Sequence, residues 1–103
     1  MTIERNHVYN MDCLDGLRDM LRGGVHVDCV ITDPPYLINY KTNNRADKSH
    51  KFCKPIQNDD NPQLIIDVIP LLYDVLKDNS PLYMFCGSDK VDFFKAEIEK
   101  YFT

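Results

Sequence analysis

Asp33-Pro34-Pro35 stands directly behind the apolar run Val27-Asp28-Cys29-Val30-Ile31-Thr32, and this junction limits the chain most. The run, residues 25–32 at its widest, reads as a buried strand. Each proline fixes φ near −65° and lacks an N–H, so the ladder cannot continue through them. Each also pushes its predecessor toward extended geometry. The strand therefore ends in a stiff turn at its carboxyl end, where ligands bind in open α/β sheets. The turn presents the Asp33 carboxylate, the Pro34 carbonyl and the Tyr36 ring together. Two acceptors beside a flat ring suit a planar heterocycle with an exocyclic amine. Asp-Pro-Pro is also an ordinary turn sequence. A proline-rich ligand for an aromatic groove is a third reading, disfavoured by a single Pro-Pro pair tied to an apolar strand.

The flanking segments alternate. His7-Val8-Tyr9-Asn10 is expected to form a short strand. Asp12 is placed to cap a helix over Cys13–Leu21, with Leu14, Leu17 and Leu21 on one face and Gly23-Gly24 at its end. Residues 37–58 show no sustained apolar period and are expected to form a long flexible loop. Asn61-Pro62 opens a second helix, on which Leu64, Ile65, Val68, Ile69, Leu72, Val75 and Leu76 share helical spacing. Pro70 falls inside it and is expected to kink or split it. Pro81–Cys86 is a second buried strand, and Gly87-Ser88 leads into a last helix with Val91, Phe94, Ile98 and Phe102 on its apolar side. Strand, helix, strand, loop, helix, strand, helix is the order of an α/β protein with a mostly parallel sheet and helices on its faces.

A chain of 103 residues fits one small domain with a modest core. No run approaches the roughly 18 apolar residues of a membrane span, and the N-terminus lacks a signal-like apolar stretch, so a cytoplasmic protein is expected. The four cysteines, Cys13, Cys29, Cys53 and Cys86, form no Cys-x-x-Cys pair. With His7, His26 and His50 scattered as well, no metal site is expected. Cys29 and Cys86 fall in strands and are expected in the core.

The net charge of −4 is a poor start for a nucleic-acid binder. Its distribution is more informative. Lys41, Arg45, Lys48, Lys51 and Lys54 stand against Asp47 alone between residues 41 and 54. A basic loop beside a ring-binding turn is what a polyanion carrying a base needs. The same charges also suit a loop that is merely solvated, or one that orders only on its ligand.

In these residues the chain resembles the amino-group DNA methyltransferases, which modify adenine N6 or cytosine N4. The resemblance rests on Asp33-Pro34-Pro35-Tyr36 after the strand Asp28–Thr32. It extends to Asn10-Met11-Asp12-Cys13-Leu14, which is similar to the family's Asp-Cys-Leu segment, and to the basic loop and the helix–strand at 62–86. It implies a partial S-adenosylmethionine-dependent methyltransferase fold, Rossmann-like, with residues 1–103 as its catalytic-motif half. Asp33 and the Pro34 carbonyl would accept hydrogen bonds from the target amine, with Pro35 stiffening the turn. Tyr36 would stack on the flipped base, and Tyr40 is a weaker candidate. Asp12, Cys13 and Asp33 would lie against S-adenosylmethionine, although capping a helix explains Asp12 equally well. Lys41, Arg45, Lys48, Lys51 and Lys54 would meet DNA phosphates. The implied activity is methyl transfer to adenine N6 in DNA. Cytosine N4, an RNA substrate, or a non-catalytic α/β module are the alternatives.

The family's glycine-rich Phe-x-Gly-x-Gly cofactor segment has no counterpart. The glycines are Gly16, Gly23, Gly24 and Gly87, none in a Gly-x-Gly unit. The chain therefore looks like the N-terminal part of such an enzyme, and association with a complementary C-terminal fragment or a second copy is expected. An unpaired edge on the strand Val27–Thr32, which should pair in parallel with Leu82–Cys86, points the same way.

Overall fold

The computed structural model describes residues 2–35 and 62–102. Short-range signals set the first helix, α1 (Cys13–Arg22). The Asp12 carboxylate accepts a 2.8 Å hydrogen bond from the Leu14 N–H, satisfying one of the donors left free at a helix start. Asp15 in the first turn and Arg22 in the last both complement the helix dipole. At the other end the Gly23 N–H donates to the Asp19 carbonyl and the Val25 N–H to the Met20 carbonyl. Gly24 takes φ +71° between them, a left-handed conformation that glycine adopts without a side-chain penalty.

The strand behind the Asp-Pro-Pro turn is paired in two places. Val27 bridges to Leu76: its N–H donates to the Val75 carbonyl at 2.8 Å, and its own carbonyl accepts from the Lys77 N–H at 3.0 Å. The regular strand is shorter than expected, β1 (Val30–Thr32). It pairs in parallel with β2 (Leu82–Met84), with Val30 opposite Leu82 and Thr32 opposite Met84. Between them runs α2 (Pro62–Val75), which is not split at Pro70. An interior proline costs about 3 kcal/mol. Ile65, Val68, Ile69, Leu72 and Val75 are all buried on this helix, and burying each such side chain contributes about 1.5–3 kcal/mol. Packing outweighs the proline. Asn61, the expected cap, lies outside the described residues.

After β2 a short 3₁₀ turn (Ser88–Lys90) leads into α3 (Val91–Glu99). Phe94 is buried, and Ile98 and Phe102 pack against the core, but Val91 is 46% exposed. Phe93, not singled out from the sequence, also packs against the core, edge-on to Phe94 with ring centroids 5.9 Å apart. Val91 opens the helix and is not among the described residues packed against the core.

The core is one cluster: Ile65, Val68, Ile69, Leu72 and Phe94, with Leu14 and Leu17 of α1 and Val30, Leu82 and Met84 of the sheet against it. All three helices thus lie on one face of a parallel two-stranded sheet, among the described residues. The expected helices on both faces are not found. Alternate residues of a strand point to opposite faces, and the outward set is bare: Ile31 is 72% exposed, Tyr83 58% and Phe85 57%. Cys29 shares the outward phase of Ile31 and is exposed, while Cys86 lies just past β2 and is half-buried. Cys86 packs against the core, as expected, and Cys29 is not the core cysteine expected. Nor do His7–Asn10 form a strand: no ladder partner for them exists among the described residues, and Val8 is fully exposed. The fold is a small two-layer α/β unit, and no described helix is long and apolar enough to cross a membrane.

Candidate functional site

β1 delivers Asp33 to its carboxyl end, where Pro34 and Pro35 turn the chain away from the ladder. These three residues line a cavity of about 550 Å³. Its other walls come from Cys13, Leu17 and Met20 of α1 and from Leu64, Val68 and Leu72 of α2. The volume lies within the range of small-molecule sites, about 300–1,000 Å³. Among the described residues the lining is aliphatic, sulfur and proline with Thr32, and Asp33 is its one ionisable oxygen group. Such a cavity accepts an uncharged planar body and offers a carboxylate to whatever polar group that body carries at the mouth.

Asp33 is exposed and the two prolines are half-buried. Among the described residues no hydrogen bond or ion pair engages the Asp33 carboxylate, so its oxygens are open to an incoming donor. Cys13 contributes its thiol to the wall at the first turn of α1. Burial, and then the neighbouring negative charge of Asp12, push this thiol above its ordinary pKa. It stays protonated at neutral pH and acts as a soft apolar surface. Asp12 itself is not in the lining; its carboxylate is spent on capping α1.

The structure therefore brings Asp33, Pro34, Pro35 and Cys13 together and leaves Asp12 outside their cavity. Tyr36, Tyr40, Lys41, Arg45, Lys48, Lys51 and Lys54, and the whole segment 37–58, lie outside the described residues. Leu17, Leu64 and Met84 are wall residues that sequence reading assigned only to helix faces or a strand, and Met20 is one it did not single out. Their spacing showed which side of each element is apolar. The gap left between α1 and α2 at the end of β1 is a property of packing, and no local signal carries it.

No group of three or more His, Cys, Asp or Glu residues is placed to hold a metal ion among the described residues. S-adenosylmethionine, the cofactor implied by the resemblance, carries a sulfonium, an ammonium and a carboxylate beside its adenine. Among the described residues the cavity offers one carboxylate, no cation and no glycine. It fits a neutral ring and does not fit the charged amino-acid end.

A second hollow, about 850 Å³, opens at the opposite end of the sheet between Tyr73, Asp74, Lys77 and Tyr101. Its rings pack on one another, Tyr73 edge-on to Phe102 at 5.2 Å, and Lys77 is paired with Asp28 at 3.0 Å. It contains no residue of the Asp-Pro-Pro turn. No protein-family model, curated protein or solved structure matches the chain.

Proposed function

We propose that this chain is the catalytic-motif segment of an amino-group methyltransferase acting on adenine N6 in DNA. One observation carries the reading: Asp33 and Pro34 stand at the carboxyl end of a parallel strand, on the mouth of an apolar cavity, with an unengaged carboxylate. An aryl amine is a weak nucleophile because its lone pair is delocalised into the ring. Two acceptors on its N–H groups, the Asp33 carboxylate and the Pro34 carbonyl, favour a more tetrahedral nitrogen and free that pair. They also stabilise the positive charge that develops on nitrogen during attack, the electrostatic form of catalysis. The remainder is orientation of the reacting partners. S-adenosylmethionine would supply an electrophilic methyl group, while the described residues of this chain supply the acceptors that hold the amine. The base must leave the duplex to reach such a cavity, and Tyr36 is the ring expected to receive it. Cytosine N4 or an RNA base carries the same amine chemistry and forms the second reading. DNA contact by Lys41, Arg45, Lys48, Lys51 and Lys54 and a cytoplasmic location belong to the same proposal.

The test is nuclear magnetic resonance of the isotope-labelled chain titrated with adenosine and with N6,N6-dimethyladenosine. Adenosine should shift the Asp33 and Cys13 amides, and the dimethyl compound, which has no N–H to donate, should shift them far less. Asp33→Ala should erase the difference. Equal responses to both nucleosides would refute the amine-binding role.

A further inference from the structure

We propose that the hollow at the far end of the sheet from the Asp-Pro-Pro turn binds a guanidinium group, with the rings of Tyr73 and Tyr101 as its wall and the carboxylates of Asp74 and Asp78 as its acceptors. The inference goes beyond the methyl-transfer reading and shares no residue with it. The hollow, about 850 Å³, forms where α2 and α3 end. Tyr73 lies in the last turn of α2, and Tyr101 follows α3 closely. Their ring centroids are 6.2 Å apart, with the planes inclined at 40°. Phe102 packs against the core and meets Tyr73 edge-on at 5.2 Å, which holds that ring in place. Tyr73 and Tyr101 nevertheless stay 47% and 40% exposed. The packing fixes one part of each ring and leaves the rest to a ligand.

The electrostatics at the rings are unbalanced. Neither α2 nor α3 has a basic residue in its last turn, so two negative helix ends meet the hollow without the usual compensation. The last turn of α2 carries Asp74 instead, and Asp78 follows just beyond it. Both carboxylates work against the helix dipole, whereas α1 keeps the rule with Arg22 in its last turn. Local rules are broken chiefly at functional sites. Among the described residues no hydrogen bond or ion pair engages Asp74 or Asp78. Lys77 also lines the hollow, but Asp28 already holds its ammonium at 3.0 Å. The Leu72 and Val75 carbonyls accept from Leu76 and Val27. Those of Tyr73 and Asp74 meet no backbone donor among the described residues. The Ser80 N–H donates to the Lys77 carbonyl at 3.2 Å, which fixes the turn that carries Asp78.

These features select the occupant by its chemistry. An anion meets two carboxylates and two negative helix ends. A metal ion would leave the rings idle, and no group of metal-ligating side chains is assembled here among the described residues. A quaternary ammonium suits the rings but has no N–H to give to the carboxylates or to the helix-end carbonyls. A primary ammonium donates but is strongly hydrated. Guanidinium is planar and weakly hydrated, stacks on an aromatic face, and carries five donors around its edge in a fork that matches a carboxylate. It is the cation that uses the rings and the acceptors at once. The same head group occurs on free alkylguanidines and on arginine side chains of other proteins.

The test is nuclear magnetic resonance of the isotope-labelled 103-residue chain titrated with ethylguanidinium chloride at constant ionic strength. Because His26 also lines the hollow, the titration is run above the pH range in which imidazoles charge. The amides of Asp74, Asp78 and Tyr101 should shift saturably. Ethylurea, the neutral isostere, should bind roughly tenfold more weakly, since it loses the charge-assisted hydrogen bonds. Tetramethylammonium should also bind more weakly. Asp74→Asn with Asp78→Asn alters only exposed side chains and should leave the melting temperature unchanged while weakening ethylguanidinium roughly tenfold. Tyr101→Leu should weaken it roughly threefold, the share of an exposed cation–ring contact. An arginine tripeptide amide that binds much more tightly than ethylguanidinium would assign the site to a protein side chain, and equal binding would assign it to a free guanidine compound. Either result supports the guanidinium site. Ethylurea or tetramethylammonium binding as well as ethylguanidinium would overturn it, as would an absence of saturable shifts or a doubly substituted chain that binds unchanged.

Discussion

Asp12 and Asp33 are both exposed carboxylates, and their environments give them different work. Asp12 holds the Leu14 N–H. Asp12→Ala should lower stability by about 0.5–2 kcal/mol, the usual cost of losing such a cap, while Asp12→Ser should restore most of it in a thermal melt. A Ser variant as unstable as the Ala variant would mean that Asp12 does something other than cap. Asp33→Ala should change stability by no more than about 0.5 kcal/mol, as for surface sites that support no structure. Cys13 adds a pH signature. Burial and the charge of Asp12 raise its thiol pKa in the folded state. The stability this reflects is present below the ordinary thiol pKa and declines as pH rises through the folded value, because the unfolded thiol ionises first. Alkylation of Cys13 should accordingly reach its half-maximal rate at higher pH than a free thiol, and Asp12→Asn should move it back down. An unshifted profile would contradict the assigned causes. The turn Asp33-Pro34-Pro35 and the cap at Asp12 were legible because their chemistry is local. The wall residues Met20 and Leu64 were not, since only tertiary packing puts them across one cavity.

At the scale of elements, helix starts and the parallel pair β1–β2 were readable, while the length of the strands and the absence of a ladder at His7–Asn10 were not. Glycine, proline and capping aspartate act within a few residues, so α1 and α2 begin where the sequence places them. A strand exists only with a partner, and His7–Asn10 have none among the described residues. Pro70 shows the converse, a local breaker overruled by buried neighbours. Pro70→Ala should therefore stabilise the chain by about 1 kcal/mol, regaining a helix hydrogen bond against some added freedom in the unfolded chain. Urea unfolding would show it as a higher midpoint at the same slope; an unchanged or lower midpoint would mean the ring itself packs better than expected. In α3 the sequence put Val91 and Phe94 on one apolar side, but only Phe94 reaches the core. Phe94→Ala should cost about 3–5 kcal/mol, enough to unfold much of a small domain whose total stability is about 5–15 kcal/mol. Val91→Ala should stay within about 0.5 kcal/mol. Equal losses at the two positions would place Val91 back in the core.

For the whole molecule, the question is what the chain can hold by itself. Among its described residues it presents a two-stranded sheet with one covered face and a cavity with a single carboxylate, and its glycines lie inside α1 (Gly16), at the end of α1 (Gly23, Gly24) and ahead of the 3₁₀ turn (Gly87). A sulfonium cofactor with a zwitterionic tail must be held by donors for its carboxylate, acceptors for its ammonium, and backbone close enough to reach both. Glycine is the residue that permits such approach. The aliphatic walls given by Leu17, Leu64, Val68 and Leu72 supply none of the polar partners, and leaving a charged group unpaired against them is unfavourable by several kcal/mol. The isolated chain should therefore bind S-adenosylmethionine no more tightly than millimolar, even where it holds adenosine through Asp33. Calorimetry decides the matter: low-micromolar binding of S-adenosylmethionine by the lone chain would show that its own residues form the cofactor site.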